Sequence, residues 1–220
     1  MTADSSPAQD WTARQQSQAA AFDQIGAHYD EVFPHKDGQR RAVEQLLTRL
    51  PAGARVLDVG SGTGLPTAHQ LAAAGCQVTG IDISPAMIEL ARANVPQATF
   101  RQRDALTIDD DLDGFDAAVA FFSLLMLPRR EIRQTLKRVH EILIPGGWLA
   151  LGMVEADFDD VEVPFLGQPV RVSGWPQDQL RQELQDAGFA VEDEDTRSYA
   201  PPVPEAPPEV QLFFIARRVG

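Results

Sequence analysis

Between Arg55 and Asp104 the chain alternates short apolar runs with helical patterns: VLDV, then PTAHQLAAAG, QVTGID, SPAMIELARAN and TFRQRD. Strand-like runs separated by segments of helical periodicity are βα units, and several in series leave little choice but a parallel sheet flanked by helices. The pattern continues downstream. FDAAVAFF (Phe115 to Phe122) reads as a fourth strand, and Ile132, Leu136, Val139 and Leu143 mark the stripe of a helix that Pro145, Gly146 and Gly147 break. WLALGMV (Trp148 to Val154) reads as a fifth strand, Leu180, Leu184 and Ala187 lie on a helix ending at Gly188, and VQLFFIARR (Val210 to Arg218) is a closing strand. Ser84 before Pro85 is a helix start, with a side-chain cap and a pre-set first turn, and Gly75 is a helix stop. APPVPEAPPE (Ala200 to Glu209) is too rich in proline for either element and is expected to be an extended surface connection.

Upstream of the first strand, Phe22, Ile25, Tyr29, Val32 and Phe33 recur at helical spacing, and Val43, Leu46, Leu47 and Leu50 do so again. They predict two N-terminal helices joined around Pro34. The expected organisation is a flexible segment over 1–10, a helical lid over 11–50 and an α/β core over 51–220.

A length of 220 residues with 44% apolar and 23% charged residues suits one globular unit. The 32 acids outnumber 19 bases, for a formal charge of −13, and cluster in DDDLD (Asp109 to Asp113), EADFDD (Glu155 to Asp160) and EDED (Glu192 to Asp195). Such runs read as solvated loops and faces, and this balance excludes nucleic acid as a natural partner, because that affinity is carried by basic groups. Cys76 stands alone, which suits a reducing compartment. The N-terminus does not read as a signal peptide and no run is long enough to cross a bilayer, so a cytoplasmic protein without membrane partners is expected. His28, His35, His69 and His140 show no metal spacing, and no metal is expected. A homodimer is compatible with the sequence but not specified by it.

In VLDVGSGTG (Val56 to Gly64) three glycines stand at every second position after an acid. Glycine costs conformational entropy, so the cluster needs a steric reason, normally close approach to the backbone. A glycine turn at the end of the first strand lies where doubly wound sheets bind ligands. A dinucleotide fingerprint requires G-x-G-x-x-G or G-x-G-x-x-A, and here its third position is Leu65. Asp58 would also repel a pyrophosphate, whereas a ligand with an ammonium and a carboxylate, such as the amino-acid end of S-adenosylmethionine, uses both an acid and free N–H groups. Asp82, at the end of the second strand, is placed to accept ribose hydroxyls, and Asp104, after the third, to accept from an adenine amino group.

With VLDVGSGTG, GIDIS, RQRDA and LIPGGWLAL in that order, the chain resembles the class I S-adenosylmethionine-dependent methyltransferases, of the small-molecule, methyltransferase-11/25-like kind. The resemblance implies a Rossmann-like, doubly wound sheet of seven strands, mostly parallel with an antiparallel last strand, helices on both faces and an N-terminal helical lid. It implies that Asp58, Gly60, Ser61, Gly62, Thr63 and Gly64 hold the methionyl end, Asp82 the ribose and Asp104 with Ala105 the adenine. Ile83, Met87 and Phe121 complete the cofactor-binding set, and Tyr29 resembles a lid tyrosine that touches the cofactor.

The implied activity is methyl transfer from S-adenosylmethionine to a small-molecule oxygen or nitrogen, leaving S-adenosylhomocysteine. Many relatives carry a histidine where this chain has Met126, so a base from that position is absent. His28, Tyr29 and Glu155, with Asp157, are the candidates by position to take a proton. Trp175, Phe158 and Phe165 either wall the acceptor or belong to the core, and core is the expectation. The rivals are a cofactor-binding relative that is non-catalytic or runs another reaction, and a nicotinamide-dependent oxidoreductase, against which Leu65 and Asp58 argue.

Overall fold

The computed structural model describes residues 7–108, 112–201 and 208–220, with side chains in the first helix from Ala13 onward. Three helices precede the sheet: α1 (Pro7–Ile25), α2 (His28–Val32) and α3 (Asp37–Leu47). The helix expected to run through Tyr29 is broken at Gly26, which takes a φ of +48° that a side chain would resist. Residues 7–10 of the segment expected to be flexible open α1, and residues 1–6 lie outside the described residues. So do Asp109, Asp110 and Asp111 of the first acidic run, and residues 202–207 of the proline-rich connection.

There follow β1 (Arg55–Val59), α4 (Thr67–Ala73), β2 (Gln77–Asp82), α5 (Pro85–Asn94), β3 (Thr99–Gln102), β4 (Phe115–Phe121), α6 (Arg129–Ile142) and β5 (Leu143–Val154). Then come β6 (Phe158–Phe165), β7 (Gln168–Gly174), α7 (Gln177–Asp186), β8 (Phe189–Tyr199) and β9 (Glu209–Arg218). The main sheet has seven strands in the order β3-β2-β1-β4-β5-β9-β8, and β9 runs antiparallel to both of its neighbours. β6 and β7 form a separate antiparallel hairpin. The expected sheet is present, and three strands are additions to the sequence reading. β8 carries the EDED run on the sheet edge, where its burial alternates residue by residue. The hairpin absorbs part of the EADFDD run and turns at Leu166 and Gly167, both at positive φ (50° and 78°), as a two-residue turn between twisted strands demands.

Successive β1 side chains point to opposite faces. Leu57 and Val59 join a core with Ile132, Leu136 and Val139 of α6 and Leu180 and Leu184 of α7, while Val56 joins another with Val43, Leu46, Leu71 and Ile88 from α3, α4 and α5. Both faces are therefore covered, as a parallel sheet requires. The α6 stripe is fully shielded, each of its aliphatic side chains contributing about 1.5–3 kcal/mol of transfer free energy. Trp175 is core: it is 1% exposed, with the guanidinium carbons of Arg129 and Arg133 over its ring at 5.1 and 5.6 Å. Because β1 has β2 on one side and β4 on the other, the strand order reverses there and a crevice opens at their carboxyl ends.

Candidate active site

The turn after β1 is held from both sides. The Gly60 and Ser61 N–H groups donate to the Ile81 carbonyl at 2.8 and 2.9 Å, and Gly60, Gly62 and Gly64 sit at φ of 71°, 51° and 78°. A Cβ on Gly60 would lie 2.2 Å from Ser123 Cβ, and one on Gly64 would lie 3.0 Å from Val95 Cγ2, whereas one on Gly62 would meet no atom within 4 Å. Gly60 and Gly64 are thus dictated by the protein packing on itself, and Gly62 by the space it leaves open in the cleft.

The acids differ in how far they are satisfied. Asp82 accepts from the Gly62 N–H at 2.9 Å with one carboxylate oxygen and from the Ser84 N–H at 2.9 Å with the other. Burial raises its pKa, and these backbone donors oppose the shift. Asp58 is 3% exposed and its Oδ2 has no partner. Burial first, and the charge of Asp82 second, push its pKa up to about 7. The Ser61 hydroxyl beside it is likewise buried without a partner. An orphaned carboxylate and hydroxyl beneath a glycine left bare toward the cleft fit a zwitterionic amino-acid group. Asp104 accepts from the Leu106 N–H at 2.9 Å, starting the turn Ala105–Thr107, and its other oxygen receives the Gln15 amide; burial is the main cause of its raised pKa.

The N-terminal helices are tied across this turn. Asp23 of α1 accepts from Ser84 Oγ at 2.6 Å and from the Ala86 N–H at 3.2 Å, at the start of α5. Asp30 accepts from Thr63 Oγ1 at 2.6 Å, and Lys36 pairs with Asp30 while donating to the Leu65 carbonyl at 3.1 Å. Farther along α1, the Gln18 amide bonds the Arg171 backbone in both directions at 3.1 Å, and Arg14 reaches Asp160 and the Met126 carbonyl, each at 2.8 Å. Helix α1 therefore bridges α5 and the β6–β7 hairpin.

Under this roof runs a cleft of about 1050 Å³. Of the residues predicted from sequence, Tyr29, Gly60, Ser61, Gly62, Thr63, Asp82, Ile83, Met87, Asp104, Ala105 and Phe121 line it. Asp58 lies buried below them, and Gly64 stands behind the turn against Ala91 and Val95. Glu155 lines the far end and accepts from the Gln177 N–H at 3.1 Å. His28 is not brought in; its exposed ring contacts Glu31 at 2.9 Å. Asp157 is occupied by Arg129 at 2.8 Å. The far end is apolar, with Phe33, Leu124, Met126, Val154, Phe158 and Phe165 among its walls. The hairpin supplies Val163, Phe165, Val170 and Val172 to it, and β8 and β9 supply Tyr199 and Glu209, none of which sequence reasoning connected to the site except Phe165. The signal for the hairpin was present in VEVPFLGQPVRV, where apolar and polar residues alternate on either side of a Leu-Gly pair. Among the described residues no cluster of three or more metal-binding side chains occurs, and no helix is long and apolar enough to cross a membrane.

A family model described as a methyltransferase domain matches residues 56–147, the stretch that contains the glycine turn, Asp82 and Asp104. The 27-O-demethylrifamycin SV methyltransferase of Amycolatopsis mediterranei is 31% identical over 191 residues, covering 79% of this chain and 68% of that protein. The chain belongs to the class I S-adenosylmethionine-dependent methyltransferases. Methyltransferase GfsG of Streptomyces halstedii is 34% identical over 140 residues, 59% of this chain and 50% of that protein. The chain spans about half the length of several of the curated methyltransferases it matches. Among solved structures, a Burkholderia thailandensis 1,6-didemethyltoxoflavin-N1-methyltransferase with bound 1,6-didemethyltoxoflavin and S-adenosylhomocysteine superposes with a TM-score of 0.73 at 23% identity, covering 100% of this chain and 94% of that one. This likeness shows the methyltransferase fold. S-adenosylmethionine is the cofactor of the family, and the nicotinamide alternative falls with family membership.

Proposed function

We propose that this chain binds S-adenosylmethionine at the glycine-turn end of the cleft and transfers its methyl group to an oxygen or nitrogen of a small, largely apolar acceptor at the other end. One observation carries the reading: the acids and bare backbone of the turn and the apolar chamber belong to a single continuous cleft. At about 1050 Å³ it lies at the upper end of the range for small-molecule sites, which leaves room for an acceptor beside the cofactor.

In this reading Asp58 and Ser61 meet the ammonium end through their unpartnered oxygens, the Thr63 backbone meets the carboxylate beside the bare Cα of Gly62, whose own N–H is given to Asp82, Asp82 meets the ribose and Asp104 the adenine amine. When bound, the cofactor supplies a methyl group made electrophilic by its sulfonium. The chain's part is to hold the acceptor in line with that methyl and to keep water away, which the roof of α1 and α2 and the walls of Phe33, Met126 and Phe165 serve. Tyr29 is not the base, since burial first, and the charge of Glu209 second, hold its hydroxyl above the ordinary phenol range and so protonated. Glu155 is then the remaining acid of the first candidates at the chamber end, and His28 has no part. The proposed organisation is a lid over 11–50 on a core over 51–220, in a cytoplasmic protein.

The test is the melting temperature with S-adenosylhomocysteine, S-adenosylmethionine and NADH, followed by an acceptor screen with labelled methyl. A ligand at about 100 times its dissociation constant adds about 2.7 kcal/mol. For a domain of this size that is roughly 5–11 °C. Shifts from both adenosyl compounds, with none from NADH, support the proposal; a shift from NADH alone, or from none of the three, refutes it.

A further inference from the structure

Two of the polar groups that line the cleft, a phenol and a carboxylate, stand side by side on β8 and β9. Tyr199 and Glu209 are directly opposed across the β8–β9 ladder, and both line the chamber. Cross-strand partners of this sort project from the same face of a sheet. The Glu209 carboxylate has one engaged oxygen, which accepts from the Gln211 amide at 2.7 Å. The Tyr199 hydroxyl is shut off from solvent without a hydrogen-bond partner, although its ring is fixed by stacking on Phe33 at 6.1 Å and 27°. Glu209 raises the pKa of both Tyr199 and Tyr29, so its charge is felt by both rings. Burial raises its own.

The cations nearby are already engaged. Lys36 is held by Asp30 and the Leu65 carbonyl and sits over the Tyr29 ring at 4.9 Å, and Arg14 is held by Asp160 and the Met126 carbonyl. What the chamber offers a guest is therefore aromatic surface, an acidic acceptor and a hydroxyl that can complete a hydrogen-bonded pair. Leaving the Tyr199 hydroxyl buried and unpaired is costly, and a guest with a donor relieves that cost.

Resting on the reading of this cleft as a two-substrate site, we infer that Glu209 and Tyr199 form an acceptor-recognition pair selecting an aromatic molecule that presents an N–H or O–H donor. Anionic acceptors are rejected by the same pair, because a carboxylate would face Glu209 while Lys36 and Arg14 are committed to partners of their own. Neither residue is assigned a bond-making role; they orient the acceptor.

The probes are 2-naphthol, which carries a donor, 2-methoxynaphthalene, which lacks one, and 2-naphthoate, which is anionic. Binding of each is measured by titration calorimetry to the full chain with and without S-adenosylhomocysteine. The expected order is 2-naphthol, then the ether, then naphthoate, with at least about tenfold between the first two, the scale of a hydrogen bond to a charged group. Glu209→Gln is expected to reduce that preference severalfold and to relieve the discrimination against naphthoate, with S-adenosylhomocysteine affinity unchanged. Tyr199→Phe keeps the stacked ring, so it separates recognition from folding, and it is expected to weaken 2-naphthol severalfold while sparing the ether.

Equal binding of the three probes to the unaltered chain, or no binding of any, overturns the inference. So does a naphthol preference that survives both substitutions. A donor preference that depends on Glu209 without any S-adenosylhomocysteine binding overturns the cofactor reading and leaves the recognition pair standing.

Discussion

Alanine at Gly60 and alanine at Gly62 are expected to damage different properties, although the two glycines are of one kind, two residues apart, and both at positive φ. At Gly60 a side chain meets two costs. The left-handed backbone at 71° costs about 1–2 kcal/mol for a residue with a Cβ. The new Cβ also stands 2.2 Å from Ser123 Cβ, a root atom and not the flexible end of a chain, and overpacking of this kind costs about 1–3 kcal/mol. The sum is about 2–5 kcal/mol, or a fall in melting temperature of about 4–20 °C at this size. At Gly62, with φ of 51° and nothing within 4 Å, only the backbone cost remains, about 1–2 kcal/mol. Its new methyl instead enters the cleft, and S-adenosylhomocysteine affinity is expected to fall at least about tenfold. Urea denaturation measures the first effect and titration calorimetry the second. Adding Ser123→Gly to Gly60→Ala removes the colliding atom and is expected to recover part of the lost stability. Equal destabilisation by the two alanines within about 0.5 kcal/mol, with no recovery on adding Ser123→Gly, would refute the steric account.

Stability should fall with rising pH across the acid range. Burial holds Asp58 and Glu131 at about 7 in the folded chain, above their ordinary 3.8 and 4.5, so the folded protein keeps protons the unfolded chain has already released. Their stabilising contribution is complete below about pH 4, is lost as pH rises through about 7, and is flat above; Asp58→Asn with Glu131→Gln should flatten that slope in urea titrations. Asp23→Ala removes the acceptor for Ser84 Oγ and the Ala86 N–H, and hydrogen exchange in α1 should quicken by about tenfold or more while β1 and β4 are unchanged. Trp175→Ala should cost about 3–5 kcal/mol, since it empties a fully shielded site between two arginines.

The central strands and the helices after them were legible in the sequence because both of their physical signals are local: buried apolar runs, and periodic stripes such as Ile132, Leu136 and Val139. The glycine turn was legible for a different reason, that three costly residues imply a close approach. β8 was not, because an edge strand half in solvent keeps its charges, and EDEDTRSY looks like a loop unless its alternation is weighed against its charge. Glu209 was hidden in a proline-rich stretch whose composition said connection, while its partner Tyr199 sits ten residues earlier and meets it only across a ladder. The position of His28 depended on the break at Gly26, which rotates the short helix after it. A glycine after a helical run predicts such a stop, but an unbroken apolar periodicity outweighed it.

The order of the strands in the sheet differs from their order of synthesis. β9 lies between β5 and β8, so a ribosome delivers β8 before the strand it pairs with in the main sheet. Until β9 emerges, β5 presents an open apolar edge and β8 has no ladder to join, the condition in which nascent chains recruit neighbouring chains by mistake. The charges along β8 protect that interval: an acidic strand waiting for its partner repels other copies of itself.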